Sequence, residues 1–152
     1  MSNPLCPSLQ LPMTNNGIFD TNSLKGQKFV LYFYPKDNTP GCTTEGGNFR
    51  DLHDAFLAAD CQIFGLSRDS IKSHENFKAK QAYPFELVSD PEEIACRAFN
   101  VIKTKKLYGK EVQGVERSTF IIGRNGEIVR EWRGVKVPNH VAEVLAFVQT
   151  LE

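Results

Sequence analysis

Residues 33–45 decide the fold, and they read Phe33-Tyr34-Pro35-Lys36-Asp37-Asn38-Thr39-Pro40-Gly41-Cys42-Thr43-Thr44-Glu45. An apolar run over 29–34 stops at Pro35, a loop leads to Cys42, and the sequence after it favours a helix. The first N–H groups of a helix have no partner within it and its dipole is positive there, so an anion such as a thiolate is stabilised. The stretch therefore predicts a reactive thiol at a strand-to-helix junction; the alternative is a small apolar residue in a turn.

Length and charge limit the classes of function. The 152 residues predict a single domain over 1–152, long enough to bury a core without disulfides. The 18 basic and 18 acidic side chains cancel, so neither nucleic acid nor an anionic membrane is expected as the main partner. No apolar run approaches the length of a membrane span, and the N-terminus lacks the pattern of a signal peptide. A cytoplasmic location is expected.

The cysteines are expected to be thiols. A reducing compartment disfavours structural disulfides among Cys6, Cys42, Cys61 and Cys96. The absence of a C-x-x-C pair argues against a zinc knuckle and against a dithiol redox motif. No two histidines lie within one helical turn, and no Cys/His pair has ligand spacing, so neither a metal nor another cofactor is expected.

Turns and apolar runs divide the first two thirds of the chain into alternating elements. Asn16-Gly17 predicts an early hairpin. Apolar segments at 28–34, 61–66 and 85–89 predict buried strands, and helical spacing predicts helices over 43–59 and 71–81 between them. Two successive crossovers imply that the three central strands are parallel.

The last third of the chain is predicted to complete the sheet. Asp90-Pro91 predicts the start of a helix that reaches residue 99, and the basic stretch 101–115 is interpreted as a solvated loop, with a nucleic-acid patch as the alternative. Segments 117–122 and 127–132 predict an antiparallel hairpin, and Pro138 opens a last helix. This order predicts an α/β, thioredoxin-like fold, in which a mixed central sheet has helices on both faces.

Groups around Cys42 suit a nucleophile that attacks a small substrate. Thr39 offers a hydroxyl, while Gly41 and Cys42 offer backbone N–H groups that stabilise developing charge. Pro35 limits the conformations of the loop and helps to exclude water. Arg117 is the best candidate for a cation, because it starts the strand of 117–122, whose end is expected beside the Cys42 loop; the alternative is an arginine on the surface of an edge strand.

The pattern Pro35-x-x-x-Thr39-x-x-Cys42 resembles the active-site motif of the peroxiredoxins. The whole stretch 33–45 is similar to the bacterioferritin-comigratory-protein (Q-type) branch, and the resemblance extends through Ser89-Asp90, 108–110 and 115–120. It implies that Cys42 is the peroxidatic cysteine, which reduces hydrogen peroxide and organic hydroperoxides and becomes a sulfenic acid. It also implies that Thr39 and Arg117 bind and activate the peroxide, with Gly41 at the substrate, Pro35 shielding the pocket and Glu45 orienting Arg117.

The sequence departs from that branch in its second cysteine. Family members often carry a resolving cysteine at the position of Gly47 or of Lys78, and this chain has a cysteine at neither position. We therefore expect a one-cysteine cycle recycled by glutathione, glutaredoxin or thioredoxin, with Cys96 or Cys61 as an atypical resolving residue in the alternative. Gly46 and Gly47 lower helix stability by roughly 2 kcal/mol relative to alanines, which favours local unwinding beside Cys42.

Two other classes of function compete with a peroxidase. A cysteine hydrolase would need His53, His74 or His140 as a general base, and a thioredoxin-fold binding module would carry Cys42 incidentally. A monomer is expected, although the near-zero net charge is also compatible with a dimer.

Overall fold

The computed structural model describes residues 3–151. The strands are β1 (Gln10–Met13), β2 (Gly17–Asp20), β3 (Lys28–Phe33), β4 (Cys61–Ser67), β5 (Glu86–Ser89), β6 (Ile102–Leu107), β7 (Lys110–Val115), β8 (Ser118–Ile122) and β9 (Ile128–Arg133). The helices are α1 (Pro40–Asp51), α2 (His53–Ala58), α3 (Ile71–Gln81), α4 (Ile94–Ala98) and α5 (His140–Val148). Within the described residues, no helix is long and apolar enough to cross a membrane.

Seven strands form one mixed sheet in the order β2-β1-β5-β4-β3-β8-β9. Strands β3, β4 and β5 are parallel, as the two crossovers predict, and β8 and β9 add the predicted antiparallel hairpin. The hairpin expected around Asn16-Gly17 is the pair β1–β2. The mixed sheet predicted from the sequence is therefore confirmed.

Two apolar cores lie on opposite faces of this sheet. Strand β3 is buried along its whole length, and its side chains alternate between the faces. Leu31 and Phe33 contribute to the core that α4 covers, whereas Val30 and Tyr32 contribute to the core that α1, α2, α3 and α5 cover. Helices on both faces are thus confirmed, and the sheet separates the two cores.

The helix that carries Cys42 differs from its prediction at both ends. It begins at Pro40 rather than at residue 43, so that Cys42 is its third residue. It ends at Asp51, and Leu52 (φ −104°, ψ 8°) separates it from α2 instead of continuing one helix to residue 59. Cys42 therefore lies inside the first turn, where the unpaired N–H groups are.

The stretch 101–115, interpreted as a loop, is instead the hairpin β6–β7. Its two-residue turn has positive φ at both positions, 51° at Tyr108 and 77° at Gly109, which matches the twist of a type I′ turn. The loop interpretation was wrong because tyrosine, and not asparagine or aspartate, precedes the turn glycine.

The helix predicted from Asp90-Pro91 begins later, at Ile94. Glu93 adopts a left-handed conformation (φ 62°) that interrupts the predicted start. Asp90 nevertheless caps the helix, because its carboxylate accepts hydrogen bonds from the backbone N–H groups of Ile94 (2.8 Å) and Cys96 (2.9 Å).

Candidate active site

Sheet pairing brings Arg117 to Cys42. Phe33, the last residue of β3, pairs with Ser118, the first residue of β8. The loop that leaves β3 toward Cys42 and the residue that precedes β8 therefore share one edge of the sheet. Arg117 Nη2 donates to Cys42 Sγ at 3.5 Å across 75 residues of chain, and the thiol is 2% exposed. The predicted cation is thus beside the sulfur.

Glu45 fixes the other arm of the same guanidinium. Arg117 Nη1 donates to Glu45 Oε1 at 2.7 Å, and the carboxyl group is fully buried. Glu45 Oε2 has no hydrogen-bond partner within residues 3–151. Burial raises the pKa of Glu45 to about 7, against the lowering effect of Arg117. The planar fork of Arg117 thereby links a carboxyl group and the sulfur in one fixed geometry.

The N-terminus of α1 leaves donors free beside the sulfur. Thr39 is the N-cap residue, but its hydroxyl donates to the Lys36 carbonyl oxygen at 2.7 Å and does not cap the helix. Gly41 and Cys42 are the second and third helical residues, whose N–H groups an N-cap side chain ordinarily satisfies. These two groups and the acceptor lone pairs of the Thr39 oxygen are therefore available to a ligand.

Gly41 has a steric reason to be glycine. A Cβ atom at this position would lie 3.0 Å from Arg117 Nη2. The guanidinium thus lies directly over the backbone of the first helical turn, close to the N–H groups. Pro35 is half-buried and lies at the start of the loop that leads from β3 to Cys42.

A buried polar network holds the loop between Pro35 and Cys42, and sequence reasoning missed it. Asp37 accepts hydrogen bonds from Tyr34 Oη (2.6 Å) and Ser73 Oγ (2.7 Å), and its Oδ2 lies 2.7 Å from His74 Nδ1. His74 is fully buried, and 37 residues separate it from Asp37. No spacing rule connects residues so far apart, because only the packing of α3 beside the loop brings them together.

Polar atoms of Asp37, Asp69 and His74 all lie within 4.8 Å of one another, the kind of cluster that holds metal ions. Protein groups already engage these atoms. The backbone N–H of Asp37 donates to Asp69 Oδ2 at 2.8 Å, and His74 Nε2 lies 2.8 Å from the Val88 carbonyl oxygen. A carbonyl only accepts, so Nε2 carries a proton, and Nδ1 faces the carboxylate of Asp37. The cluster therefore works as a hydrogen-bonded anchor for the loop.

The other two histidines have partners away from Cys42. His140 Nε2 lies 2.8 Å from Thr119 Oγ1, and burial lowers the pKa of His140 to about 4. The ring of His53 packs 6.3 Å from that of Phe85. No hydrogen bond recorded among residues 3–151 joins a histidine to Cys42, which argues against the cysteine hydrolase.

Comparisons with known proteins show the family of this chain. The AhpC/TSA family profile matches residues 4–131. The chain belongs to the AhpC/TSA family. Peroxiredoxin Bcp of Xanthomonas campestris pv. campestris is 52% identical over 141 residues, which cover 91% of this chain and 88% of that protein. Peroxiredoxin Bcp of Bacillus subtilis is 49% identical, with 96% of this chain and 91% of that protein covered.

Solved structures place this peroxiredoxin in the same branch. Peroxiredoxin Q of Xanthomonas campestris superposes with a TM-score of 0.91 at 50% identity, covering 93% of this chain and 90% of that one. A PrxQ mutant of Xylella fastidiosa superposes with a TM-score of 0.93 at 44% identity, covering 99% of this chain and 96% of that one. The expected family and thioredoxin-like fold are confirmed: the protein is a thiol-dependent peroxidase that takes a peroxide and a thiol reductant.

The remaining cysteines of this peroxiredoxin lie far from Cys42. Cys61 starts β4 and pairs with Lys28, at the opposite end of β3 from the Cys42 loop. Burial raises its pKa to about 12. Cys96 belongs to the core on the other face of the sheet, and burial raises its pKa still further. The backbone N–H of Cys6 donates to the Gly126 carbonyl oxygen, in the turn before β9.

Proposed function

We propose that Cys42 is the peroxidatic cysteine and that the cycle needs no second cysteine of this chain. One observation carries the proposal: the Arg117 guanidinium bridges Cys42 Sγ and the buried Glu45 carboxyl group at a helix N-terminus. A cation and a helix dipole both stabilise a thiolate, the nucleophilic form of the side chain.

The reaction is a displacement at oxygen. The Cys42 thiolate attacks one peroxide oxygen, a sulfur–oxygen bond forms and the oxygen–oxygen bond breaks. The leaving oxygen takes up a proton and departs as water or as an alcohol. Sulfur loses two electrons to the peroxide and becomes a sulfenic acid.

The groups around the sulfur have matching roles in this step. The Thr39 oxygen accepts the peroxide O–H, because its own proton is donated to the Lys36 carbonyl oxygen. The N–H groups of Gly41 and Cys42, with Arg117, donate to the peroxide oxygens and stabilise the charge that develops on the leaving oxygen. Pro35 shields the sulfur from water, and Glu45 holds Arg117 in place. All of these groups come from one chain, so a monomer is sufficient.

The positions of Cys61 and Cys96 support an external thiol as the reductant. A disulfide requires Cα atoms within about 7 Å. The length of β3 separates Cys61 from Cys42, about 16 Å at the rise of a strand, and the sheet itself separates Cys96. Raised pKa values keep both sulfurs as thiols, the unreactive form for exchange. Glutathione, glutaredoxin or thioredoxin would then return Cys42 to the thiol.

Of the two glycines after Cys42, packing explains Gly46, and only Gly47 supports unwinding of α1. A Cβ atom on Gly46 would lie 2.1 Å from Tyr83 Oη, so this glycine is required by the close approach of the ring. A Cβ on Gly47 would meet only the end of the Arg50 side chain, at 3.3 Å. Gly47 is thus the position where flexibility, and not packing, accounts for the glycine, and the helix opens there to present the oxidised sulfur.

Mass spectrometry after one equivalent of peroxide, without reductant, tests the cycle. The expected product is a sulfenic acid on Cys42, trapped by dimedone, in the wild type, Cys61→Ser and Cys96→Ser. Cys42→Ser should lose peroxidase activity with every thiol. An intramolecular disulfide to Cys61 or Cys96 would support the two-cysteine alternative, and unchanged activity of Cys42→Ser would support an incidental thiol. Hydrogen peroxide and an alkyl hydroperoxide are the two substrates assayed.

The choice of an alkyl hydroperoxide follows from a relative. A structure of Xanthomonas campestris bacterioferritin comigratory protein, 46% identical with a TM-score of 0.93, is described by that protein's alkyl peroxide reduction activity. We propose the same substrate class for this chain, beside hydrogen peroxide.

A further inference from the structure

One face of the β6–β7 hairpin combines positive charge with exposed apolar side chains. Directly opposed residues of an antiparallel pair point to the same side, and the sides alternate along each strand. The register pairs Lys103 with Gly114, Lys105 with Val112 and Leu107 with Lys110. These six residues, which we call the basic face, carry three lysines and no carboxylate.

The opposite face of the hairpin has a different character. Its pairs are Ile102 with Val115, Thr104 with Gln113 and Lys106 with Glu111. Val115 is buried in the core that α4 covers, and Lys106 lies opposite an acid. The hairpin thus packs and balances its charge on one side, whereas the charge of the basic face has no acidic partner among its own residues.

The basic face is open to solvent. Leu107 is 55% and Val112 is 40% exposed, and β6 and β7 pair only with each other within the described residues. A Cβ on Gly114 would have no atom within 4 Å, and its φ is not positive, so neither crowding nor backbone conformation requires glycine. The missing side chain leaves flat, accessible backbone beside Lys103.

Contacts connect the hairpin to the edge of the sheet where Cys42 lies. Arg68 Nη1 donates to the Gln113 carbonyl oxygen at 3.4 Å, and the next residue, Asp69, anchors the loop before Cys42. At the end of β7, Glu116 N donates to the Val101 carbonyl oxygen at 2.7 Å, and the residue that follows is Arg117. A protein that covers the hairpin is therefore close to the reactive sulfur.

We propose that the basic face docks the acidic, partly apolar surface of a dithiol protein that reduces oxidised Cys42. This inference rests on the proposed function, since it names the class of external reductant. One thiolate of the partner attacks the Cys42 sulfur of the sulfenic acid, so that a sulfur–sulfur bond forms and the sulfur–oxygen bond breaks. The hydroxide that leaves takes up a proton from solvent and departs as water. The partner's second sulfur then attacks the partner's first sulfur in this mixed disulfide. The exchange returns Cys42 as a thiol and leaves the partner with an internal disulfide.

The apolar side chains favour a protein over a nucleic acid. Leu107 and Val112 lie among the lysines, and a phosphate backbone makes no favourable contact with such apolar side chains. The chain also has no net positive charge to attract a polyanion. Lysines around exposed apolar groups instead match a protein interface whose partner carries carboxylates.

Lys105→Glu and Lys106→Glu form a matched pair for the test. The two lysines are neighbours, both are exposed, and the same charge reversal falls on the basic face in one variant and on the opposite face in the other. Peroxidase turnover is measured with reduced thioredoxin, with reduced glutaredoxin and with dithiothreitol. For the protein reductant, Lys105→Glu should lower kcat/KM roughly fivefold or more and flatten its dependence on salt, while Lys106→Glu changes it far less.

Dithiothreitol separates docking from chemistry and from folding. Both variants should keep the wild-type rate with this small thiol, and Leu107→Ser should weaken protein turnover without altering its salt dependence. Equal effects of the two charge reversals, a parallel loss with dithiothreitol, failure of both proteins to reduce the wild type, or binding of a short DNA duplex at physiological salt would each overturn the proposal. An intramolecular disulfide in mass spectrometry would instead refute the one-cysteine cycle.

Discussion

Replacing Gly46 by alanine should destabilise this protein, whereas the same change at the adjacent Gly47 should stabilise it. In a helix, alanine is favoured over glycine by about 1 kcal/mol at either position. At Gly46, however, the added Cβ would lie 2.1 Å from Tyr83 Oη and 2.4 Å from its Cζ. The ring has little room to retreat, because it stacks on Phe85 at 5.0 Å and packs edge-on against Phe77 at 5.2 Å.

The net effect follows from these two opposing contributions. Overpacking a core costs about 1–3 kcal/mol, and the severe overlap at Gly46 places it at the upper end, so the expected net loss is about 2 kcal/mol. For a chain of this size the melting temperature should fall by about 4–8 °C. At Gly47 the end of the Arg50 side chain can move aside, so the expected gain is up to about 1 kcal/mol, or 2–4 °C.

Calorimetry and guanidinium unfolding of both single variants measure these changes, and a double-mutant cycle identifies their cause. Tyr83→Ala opens the space that the new methyl group needs, so Gly46→Ala in that background should no longer destabilise the protein. Gly46→Ala melting at or above the wild type would refute the steric reasoning. Strict additivity with Tyr83→Ala would refute it as well.

Three further predictions concern buried polar groups. Burial raises the pKa of Glu45 from 4.5 to about 7, so the folded state holds this proton more tightly than the unfolded state does. The stability of the wild type relative to Glu45→Gln should therefore fall as the pH rises from 4.5 to 7. Urea unfolding measures it, and a stability difference that does not change with pH would contradict the prediction. Burial lowers the pKa of His140 from 6.5 to about 4, so stability relative to His140→Gln should fall as pH drops from 6.5 to 4, and a pH-independent difference would argue against it. Tyr34→Phe removes a donor to the buried Asp37 carboxylate and should cost about 1–3 kcal/mol in chemical denaturation, while a loss near zero would show that the network is dispensable.

Local signals were sufficient for the centre of the site. The apolar run of β3, the prolines of the loop and the helical pattern after Cys42 lie within a short stretch, so each element could be predicted from its neighbours. Arg117 was expected beside Cys42 because a thioredoxin-like sheet can place the start of its strand beside the Cys42 loop, and in the structure the strand that follows Arg117 lies next to β3.

Long-range packing accounts for what the sequence did not show. The approach of Tyr83 to Gly46 and the contact of His74 with Asp37 depend on how α3 and its following turn pack beside α1, and neither pair has a characteristic spacing. The left-handed backbone of Tyr108 and Glu93 belongs to residue types that do not favour it, so the hairpin β6–β7 and the late start of α4 were not predicted.

Under the proposed function, the contact between Arg117 and Cys42 makes the reactivity of the thiol depend on folding. Seventy-five residues separate Cys42 from Arg117, and the two side chains meet only when β8 pairs with β3. During synthesis on the ribosome, the thiol emerges long before the strand that completes its site, and until then it reacts as an ordinary cysteine. Dimedone labelling during refolding in peroxide should therefore rise with the pairing of β3 and β8. The nascent chain therefore avoids rapid oxidation of Cys42 by peroxide until β3 and β8 have paired.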